Sequence, residues 1–413
     1  IAAVPGTKAI SAIAAISAIA LLCATCADPE AKAAPDAVAA ASVSAAIADG
    51  ADLGDAADVD EPGSDTSQSD AEVGPTPAPP LDLNILATVG ALQAGIAKTP
   101  PWPGFDPAKT PTLIIMRNGA NIGVRAWLIN VAEAPDGATA FVGPLPAGLS
   151  VAWRYDAAAD LLADFIEHDI QTDVAGVPSL VIGVPPTAGK HLAQWGSAWG
   201  RAAFERLQEV DQPWASVLGC GKPIFPRIKD VLVWTLLESR VLAEALNAVA
   251  DGDTAAVQAR AAEFAAIRAR RIGAEPYVAR IDNDGENRVG SRRYVAERAL
   301  VDAGLQTAAE LHVAALTELD KGMTLAVEDF DGWSMGQRFA WTGLATITVA
   351  QALGWAVAPA FEGGGCVQQV AEAALGVPDD ALVEVAMARH DAAAFDARAQ
   401  AIMDLLLDPG IDP

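Results

Sequence analysis

Residues 229–250 read KDVLVWTLLESRVLAEALNAVA, and this spacing predicts one long helix with a single apolar face. That face carries Val231, Trp234, Leu237, Val241, Leu242 and Ala245. Glu238 lies in the middle of the same face. A carboxylate that points into a core must be paired, protonated or bound to a metal, because burying it alone costs too much free energy. The helix therefore predicts a buried partner for Glu238.

Two kinds of partner are open for Glu238. The next predicted helix offers three arginines that could form an ion pair with it, Arg268, Arg270 and Arg271. The alternative is a metal ion or a substrate group, which would make this helix part of a functional site. Of the two, the residues favour an arginine.

Further helices follow from the same periodicity along the rest of the chain. They are predicted at 156–171, 193–210, 254–271, 284–303, 307–319, 336–353 and 367–375, with a pair after Pro378. Upstream, short β-branched runs separated by Gly, Asn and Pro predict strands at 112–116, 122–131, 138–142 and 149–155. The expected fold is α+β and mainly α-helical, with a small β-containing portion at 81–155 and a helical domain at 156–413.

The first 80 residues predict export. Lys8 precedes an apolar run at 9–22 and then small residues, which is the pattern of a secretory signal in 1–26. Residues 27–80 are rich in Ala, Asp and Pro and almost free of large apolar side chains, so a disordered acidic linker is predicted. The expected location is the periplasm or the outer surface.

The four cysteines suggest two kinds of modification. Cys23 or Cys26, at the end of the signal, could be lipidated and anchor the chain; ordinary cleavage near Ala27 is the alternative. Cys220 and Cys366 lie beside glycines in the body, and outside the cytoplasm such a pair can form a disulfide. Two unpaired thiols are the other outcome.

The charge of the chain limits its partners. It has 53 acidic residues against 27 Lys and Arg, a formal net charge of −26. Because a chain with this negative charge repels phosphate backbones and anionic lipids, nucleic-acid binding is not expected. Contact with a membrane is expected only through an N-terminal lipid anchor, and an envelope protein or peptide is the expected partner.

The predicted helix 156–171 carries a candidate metal site. Asp164 and His168 are four residues apart, a spacing that lets two side chains hold one metal ion from a single helix face. Glu167 lies between them and could act as a base. A solvated polar face is the simpler interpretation. The body contains no phosphate loop or dinucleotide-binding motif.

The order of the segments resembles that of secreted bacterial gluzincin-like zinc metallopeptidases. The corresponding pieces are DFIEHDIQ at 164–171, LESRVLAEAL at 237–246, FAAIRARR at 264–271, ENRVGSRRY at 286–294, and WTG at 341–343 followed by Trp355. The resemblance implies a helical metallopeptidase-like domain. It also implies that Asp164, His168, Glu238 and Glu286 occupy the region of a metal site.

This chain departs from that family where catalysis depends on it. Asp164 replaces the first metal-binding His of the H-E-x-x-H motif, and Phe165 replaces the catalytic Glu. The resemblance therefore implies an inactive homologue, with no cofactor expected, that binds a protein or peptide in the old cleft. One alternative is an active zinc hydrolase with an Asp/His/Glu site and Glu167 as base. Another is a structural lipoprotein without a cleft.

Overall fold

The computed structural model describes residues 77–161, 167–214 and 228–406. Within them a small sheet in the N-terminal part is followed by helices, so the predicted mainly helical α+β class is confirmed. The predicted signal segment 1–26 and the predicted linker as far as residue 76 lie outside the described residues. A helix begins at Pro80, the last residue of that predicted linker.

The sheet is mixed. Its strands are β1 Thr112–Arg117, β2 Gly123–Ile129, β3 Thr139–Ala140, β4 Ala152–Arg154, β5 His168–Val174 and β6 Val177–Val184. They lie in the order β3-β4-β2-β1-β6-β5, with β1 and β6 parallel and the other pairs antiparallel. The four strands predicted upstream of residue 156 are confirmed as β1 to β4, although β3 and β4 are shorter than expected.

The predicted helix at 156–171 is wrong. Its start is the 3₁₀ turn Asp156–Leu161, residues 162–166 lie outside the described residues, and His168 begins β5. β5 pairs with β6 across a two-residue turn, in which Ala175 and Gly176 both have positive φ, 53° and 83°. Backbone pairing with β6 therefore overrides the helical spacing of this segment.

One helix precedes the sheet and the others follow it. They are α1 Pro80–Lys98, α2 Leu192–Arg206, α3 Lys229–Asp251, α4 Thr254–Ala274, α5 Tyr277–Asp284, α6 Ser291–Asp302, α7 Ala308–Thr324, α8 Arg338–Ala352, α9 Val357–Glu362, α10 Val367–Leu375, α11 Ala381–Arg389 and α12 Ala392–Leu406. Short 3₁₀ turns lie at Pro107–Lys109, Pro186–Lys190 and Val327–Asp329, and a single helical turn at Phe330–Gly332. Most of the helices that follow the sheet agree with the predicted helices, whereas α5 and α9 were not predicted. The predicted helix 284–303 corresponds to the π-helical turn Gly285–Gly290 followed by α6.

Helix α1 was not predicted, although it opens the β-containing portion. By length and composition it could cross a membrane, but 56% of its most apolar 18-residue window is buried inside the fold. Asp82, fully buried in its first turn, accepts hydrogen bonds from Arg125 at 2.8 and 3.0 Å and from the indole of Trp127 at 2.7 Å. These bonds attach α1 to β2.

The core has a large and a small part. The large part is formed by the helices and one face of the sheet, through residues such as Ile114 and Ile182. The small part lies on the other face, where Leu113, Ile115 and Val181 pack under the 3₁₀ turn that contains Ala158. Because both faces are covered, the central strand β1 is buried along almost its whole length.

Candidate functional site

Six ionisable side chains are buried together where five helical segments meet. They are Glu238 on α3, Arg268 and Arg271 on α4, Asp282 on α5, Glu286 in the π-helical turn that follows α5, and Arg338 at the start of α8. Each side chain is at most 1% exposed. Three positive and three negative charges make this inner network neutral, which is the condition for burying it at all.

Arg268 is the centre of the inner network. Its Nη2 donates to Glu238 Oε1 at 2.5 Å and to Glu286 Oε1 at 2.6 Å, and its Nη1 donates to Glu286 Oε2 at 2.5 Å. The pair with Glu286 is therefore bidentate, the strongest geometry for arginine and a carboxylate. Arg268 thus joins α3 and the turn after α5 to α4.

Arg271 and Arg338 extend the inner network to α8. Arg271 donates to Thr235 Oγ1 at 3.0 Å and to Asp282 Oδ2. Its Nη2 also lies 2.9 Å from Glu238 Oε2, but this ion-pair contact lacks the geometry of a hydrogen bond. Arg338 Nη2 donates to the other oxygen of Asp282 at 2.7 Å. The charges therefore alternate in sign from Glu286 to Arg338.

The pKa values of Arg268 and Asp282 reflect this alternation, whereas burial lowers the pKa of Arg271. Burial opposes the charge on Arg268, but Glu238 and Glu286 outweigh it and raise the pKa of Arg268 well above its ordinary value. Burial also opposes the charge on Asp282, but Arg271 and Arg338 hold its pKa below its ordinary value. Both groups are therefore charged at neutral pH.

Three π-helical turns meet around the inner network: Leu207–Asp211, Gly285–Gly290 and Trp333–Gln337. The first contains Gln208, which donates to Ser291 Oγ at 2.8 Å, and the second supplies Glu286. The third ends directly before Arg338. π-helical turns re-aim side chains and are frequent at functional sites, so their convergence marks this region as the candidate site.

A second set of charges lies nearer to the surface and connects α2 with the sheet. This outer ion chain consists of His168, Glu205, Arg292, Glu209, Arg288 and Asp284. His168 Nε2 lies 3.0 Å from Glu205 Oε2, and Arg292 lies 3.0 Å from the other oxygen of Glu205. Burial opposes the charge on Glu205, but the hydrogen bond with His168 and the charge of Arg292 lower its pKa.

The structure separates the predicted metal ligands. His168 contacts Glu205, whereas Glu238 and Glu286 both contact Arg268, and Asp164 lies outside the described residues. Glu167, the predicted base, is exposed and directly precedes β5. In the described part of the chain, no group of three or more His, Cys, Asp or Glu side chains is placed to hold a metal ion.

The arginine interpretation of Glu238 is confirmed, and the structure shows which arginines take part. Arg268 and Arg271 are three residues apart on α4 and share its inner face. Arg270 lies on the outer side and pairs with Asp380 and Glu384, which are 73% and 71% exposed. The sequence did not reveal Asp282 or Arg338, because neither interrupts an obvious apolar face.

The predicted cysteine chemistry stays a prediction. Cys366 is a buried thiol at the start of α10, and burial raises its pKa. Its predicted disulfide partner Cys220 lies outside the described residues, as do Cys23 and Cys26, the predicted lipidation sites.

No protein-family model matches this chain, and no curated protein or solved structure compared with it matches either. The gluzincin-like resemblance therefore rests on its motif pieces. One of them, the piece ending at Gln171, continues into a strand where the family has a helix.

Proposed function

We propose that this chain is an exported cell-envelope protein that binds a protein or peptide and does not hydrolyse it. The observation that supports this proposal is the double pairing of Arg268 with Glu238 and Glu286, at 2.5 Å each. These two carboxylates are the downstream acids that a metal site in this region would use. With both neutralised by arginine in a sealed interior, neither is available to a metal or to a water molecule.

The physical argument concerns what a zinc site would require here. Zinc hydrolysis needs about three protein ligands and a carboxylate that handles the proton of the bound water. Recruiting Glu238 or Glu286 would take one of its two carboxylate partners from the guanidinium of Arg268, which is 0% exposed. Removing one partner of a buried ion pair typically costs about 3–5 kcal/mol. Binding without catalysis therefore fits these residues better.

Export and anchoring belong to the same proposal. The pattern of Lys8, the apolar run at 9–22 and the cysteines after it supports a secretory signal with a lipid anchor. The acidic stretch that follows would serve as a tether between the membrane and the folded body.

A structural lipoprotein without a binding cleft is the second candidate. It is favoured by one observation, the pairing of Glu238 with arginine, which a plain scaffold also requires. The two candidates differ in ligand binding, because only the first has a site for a peptide.

The deciding experiment combines metal analysis with peptide assays on the whole chain. We expect the wild type and His168→Ala to contain the same amount of zinc after dialysis, and neither to cleave denatured casein when zinc is added. The matched control is His312→Ala, a half-buried histidine on α7 whose Nε2 lies 3.0 Å from Asn247 Oδ1. Stoichiometric zinc that is lost only in His168→Ala would overturn the proposal in favour of a hydrolase.

A binding measurement then separates the two remaining candidates. A labelled pool of random decapeptides is titrated with the whole chain and followed by fluorescence anisotropy. A saturable change supports the binding protein, whereas a flat titration favours the structural lipoprotein.

A further inference from the structure

A separate cavity of about 250 Å³ lies between the loop before β1 and the end of α2. One wall comes from the loop before β1, with Phe105 and Pro111. The opposite wall comes from Ala203 at the end of α2 and from Leu207 in the π-helical turn that follows. Phe105 is 4% exposed and Leu207 7%, so both apolar side chains of this wall are almost entirely buried.

One pole of this cavity is a buried guanidinium. The side chain of Arg206 is 7% exposed, and its Nη1 donates to the carbonyl of Ile170 at 2.6 Å. Ile170 lies where the register of β5 and β6 shifts, so Arg206 holds the carbonyl of an irregular strand position. Its Nε is buried and has no hydrogen-bond partner among the described residues.

The same cavity carries carboxylates beside its cations. Asp211 Oδ1 lies 3.4 Å from Arg206 Nε, an ion-pair contact that is not a hydrogen bond. Lys109 and Asp106 form a second pair at 3.1 Å, in which the lysine is 84% exposed. Two positive and two negative charges therefore line one small cavity with an apolar wall.

This combination of groups favours a zwitterion over an ion of either sign. A simple anion would be attracted by Arg206 but repelled by Asp211 and Asp106. A simple cation would be attracted by these two carboxylates but repelled by the arginine. A neutral apolar molecule would displace water from the four charged side chains and offer them no hydrogen bonds in its place, which costs free energy. A molecule with adjacent carboxylate and ammonium groups satisfies both signs, and an apolar side chain can cover Phe105 and Leu207.

We propose that the cavity binds a free α-amino acid with an apolar side chain, its carboxylate on Arg206 and its ammonium group on Asp211. The volume fits this ligand, because it lies below the ~300–1,000 Å³ of sites for drug-sized molecules. The inference goes beyond the proposed peptide binding and uses none of the residues of the inner network.

The test is a calorimetric titration of the whole chain with L-leucine, N-acetyl-L-leucine and L-leucinamide. The two analogues each lack one of the charges, so we expect saturable binding of L-leucine and affinities for the analogues that are lower by about tenfold or more. No saturable binding of L-leucine, or equal binding of all three compounds, would overturn the inference.

Two variants make the test specific to the cavity. Asp211 is 39% exposed, so Asp211→Asn should fold and should weaken L-leucine binding by about tenfold. The control is Asp320→Asn, which changes a carboxylate of similar exposure, 42%, that pairs with Arg240, and it should bind L-leucine like the wild type. Arg206→Gln is a second variant, whose thermal unfolding midpoint shows whether the contact with Ile170 is also needed for folding. L-leucine affinity unchanged in Asp211→Asn would contradict the assignment, whatever the peptide titration gives.

Discussion

Arg268 and Glu238 form an ion pair of 2.5 Å between helices α4 and α3, with side chains that are 0% and 1% exposed. The same guanidinium also holds Glu286, so one residue joins three segments of the chain. Since isolated charges are not tolerated in a core, these segments can pack together only in the arrangement that pairs all the charges.

Removing Arg268 should be strongly destabilising. Arg268→Met leaves Glu238 and Glu286 buried without their shared cation, and we expect the free energy of unfolding to fall by about 3–5 kcal/mol. Urea unfolding followed by circular dichroism measures this change. Arg270→Met is the matched control on the same helix, because its partners Asp380 and Glu384 are exposed and the expected loss is about 1 kcal/mol or less. Equal losses in the two variants would contradict the central role of Arg268.

Acid should weaken the inner network through Asp282. Its pKa in the folded state lies below the ordinary 3.8, because Arg271 and Arg338 outweigh the effect of burial. Its charge therefore stabilises the fold above about pH 3.8, and this contribution is lost as the pH falls through the lower folded-state pKa. We expect the stability difference between wild type and Asp282→Asn to be largest at neutral pH and to shrink below pH 3.8.

Asp284 provides a control, because its pKa is shifted in the opposite direction to that of Asp282. Burial raises its pKa above the ordinary 3.8, against the opposing charges of Arg288 and Arg292. A raised folded-state pKa means that its stability contribution is full below pH 3.8 and is lost as the pH rises through the folded-state value. Asp284→Asn should therefore be more stable than wild type at neutral pH and approach it in acid. Parallel pH profiles for the two variants would rule out this account.

The contact between α8 and the turn after α5 requires glycine on both sides. A Cβ added to Gly290 would lie 2.5 Å from the Cα of Gly343, so the two segments would have to move apart. We expect Gly290→Ala to lower the free energy of unfolding by about 1–3 kcal/mol, as overpacking does. Gly273→Ala, near the end of α4 with open space around the added Cβ, should be neutral or stabilising by up to about 1 kcal/mol. Both values come from thermal or urea unfolding.

A substitution in the turn between β5 and β6 should make the fold more stable. Ala175 adopts a left-handed backbone conformation with φ of 53°, which residues other than Gly and Asn rarely adopt. Ala175→Asn should raise the free energy of unfolding by about 0.5–1 kcal/mol, because asparagine accepts this conformation more readily. Gly176→Ala, at φ of 83°, should have the opposite effect. An unfolding midpoint that falls in Ala175→Asn would show that this turn does not limit stability.

Much of the fold could be predicted because its signals are local. The apolar spacing along α3 and the β-branched run of β1 each reflect which side chains share a face, and the structure confirms both. The turn Ala175–Gly176 between two valines was a usable hairpin signal that the helical interpretation of 156–171 passed over. Helix α1 was missed because its sequence follows a Pro-rich stretch and lacks a clear polar face.

The sequence by itself determined that α3 is a helix and that Glu238, on its buried face, needs a partner. Only the tertiary structure decided that Arg268 and Arg271 are the partners of Glu238. It also brought Arg338 to Asp282, 56 residues away in the sequence, which completes the inner network. The contact of His168 with Glu205 likewise depends on the strand that carries His168. The physical reason is range. Periodicity is set by neighbours within a few residues, whereas ion pairing in a core depends on which distant segments are brought together when all apolar faces are buried at once.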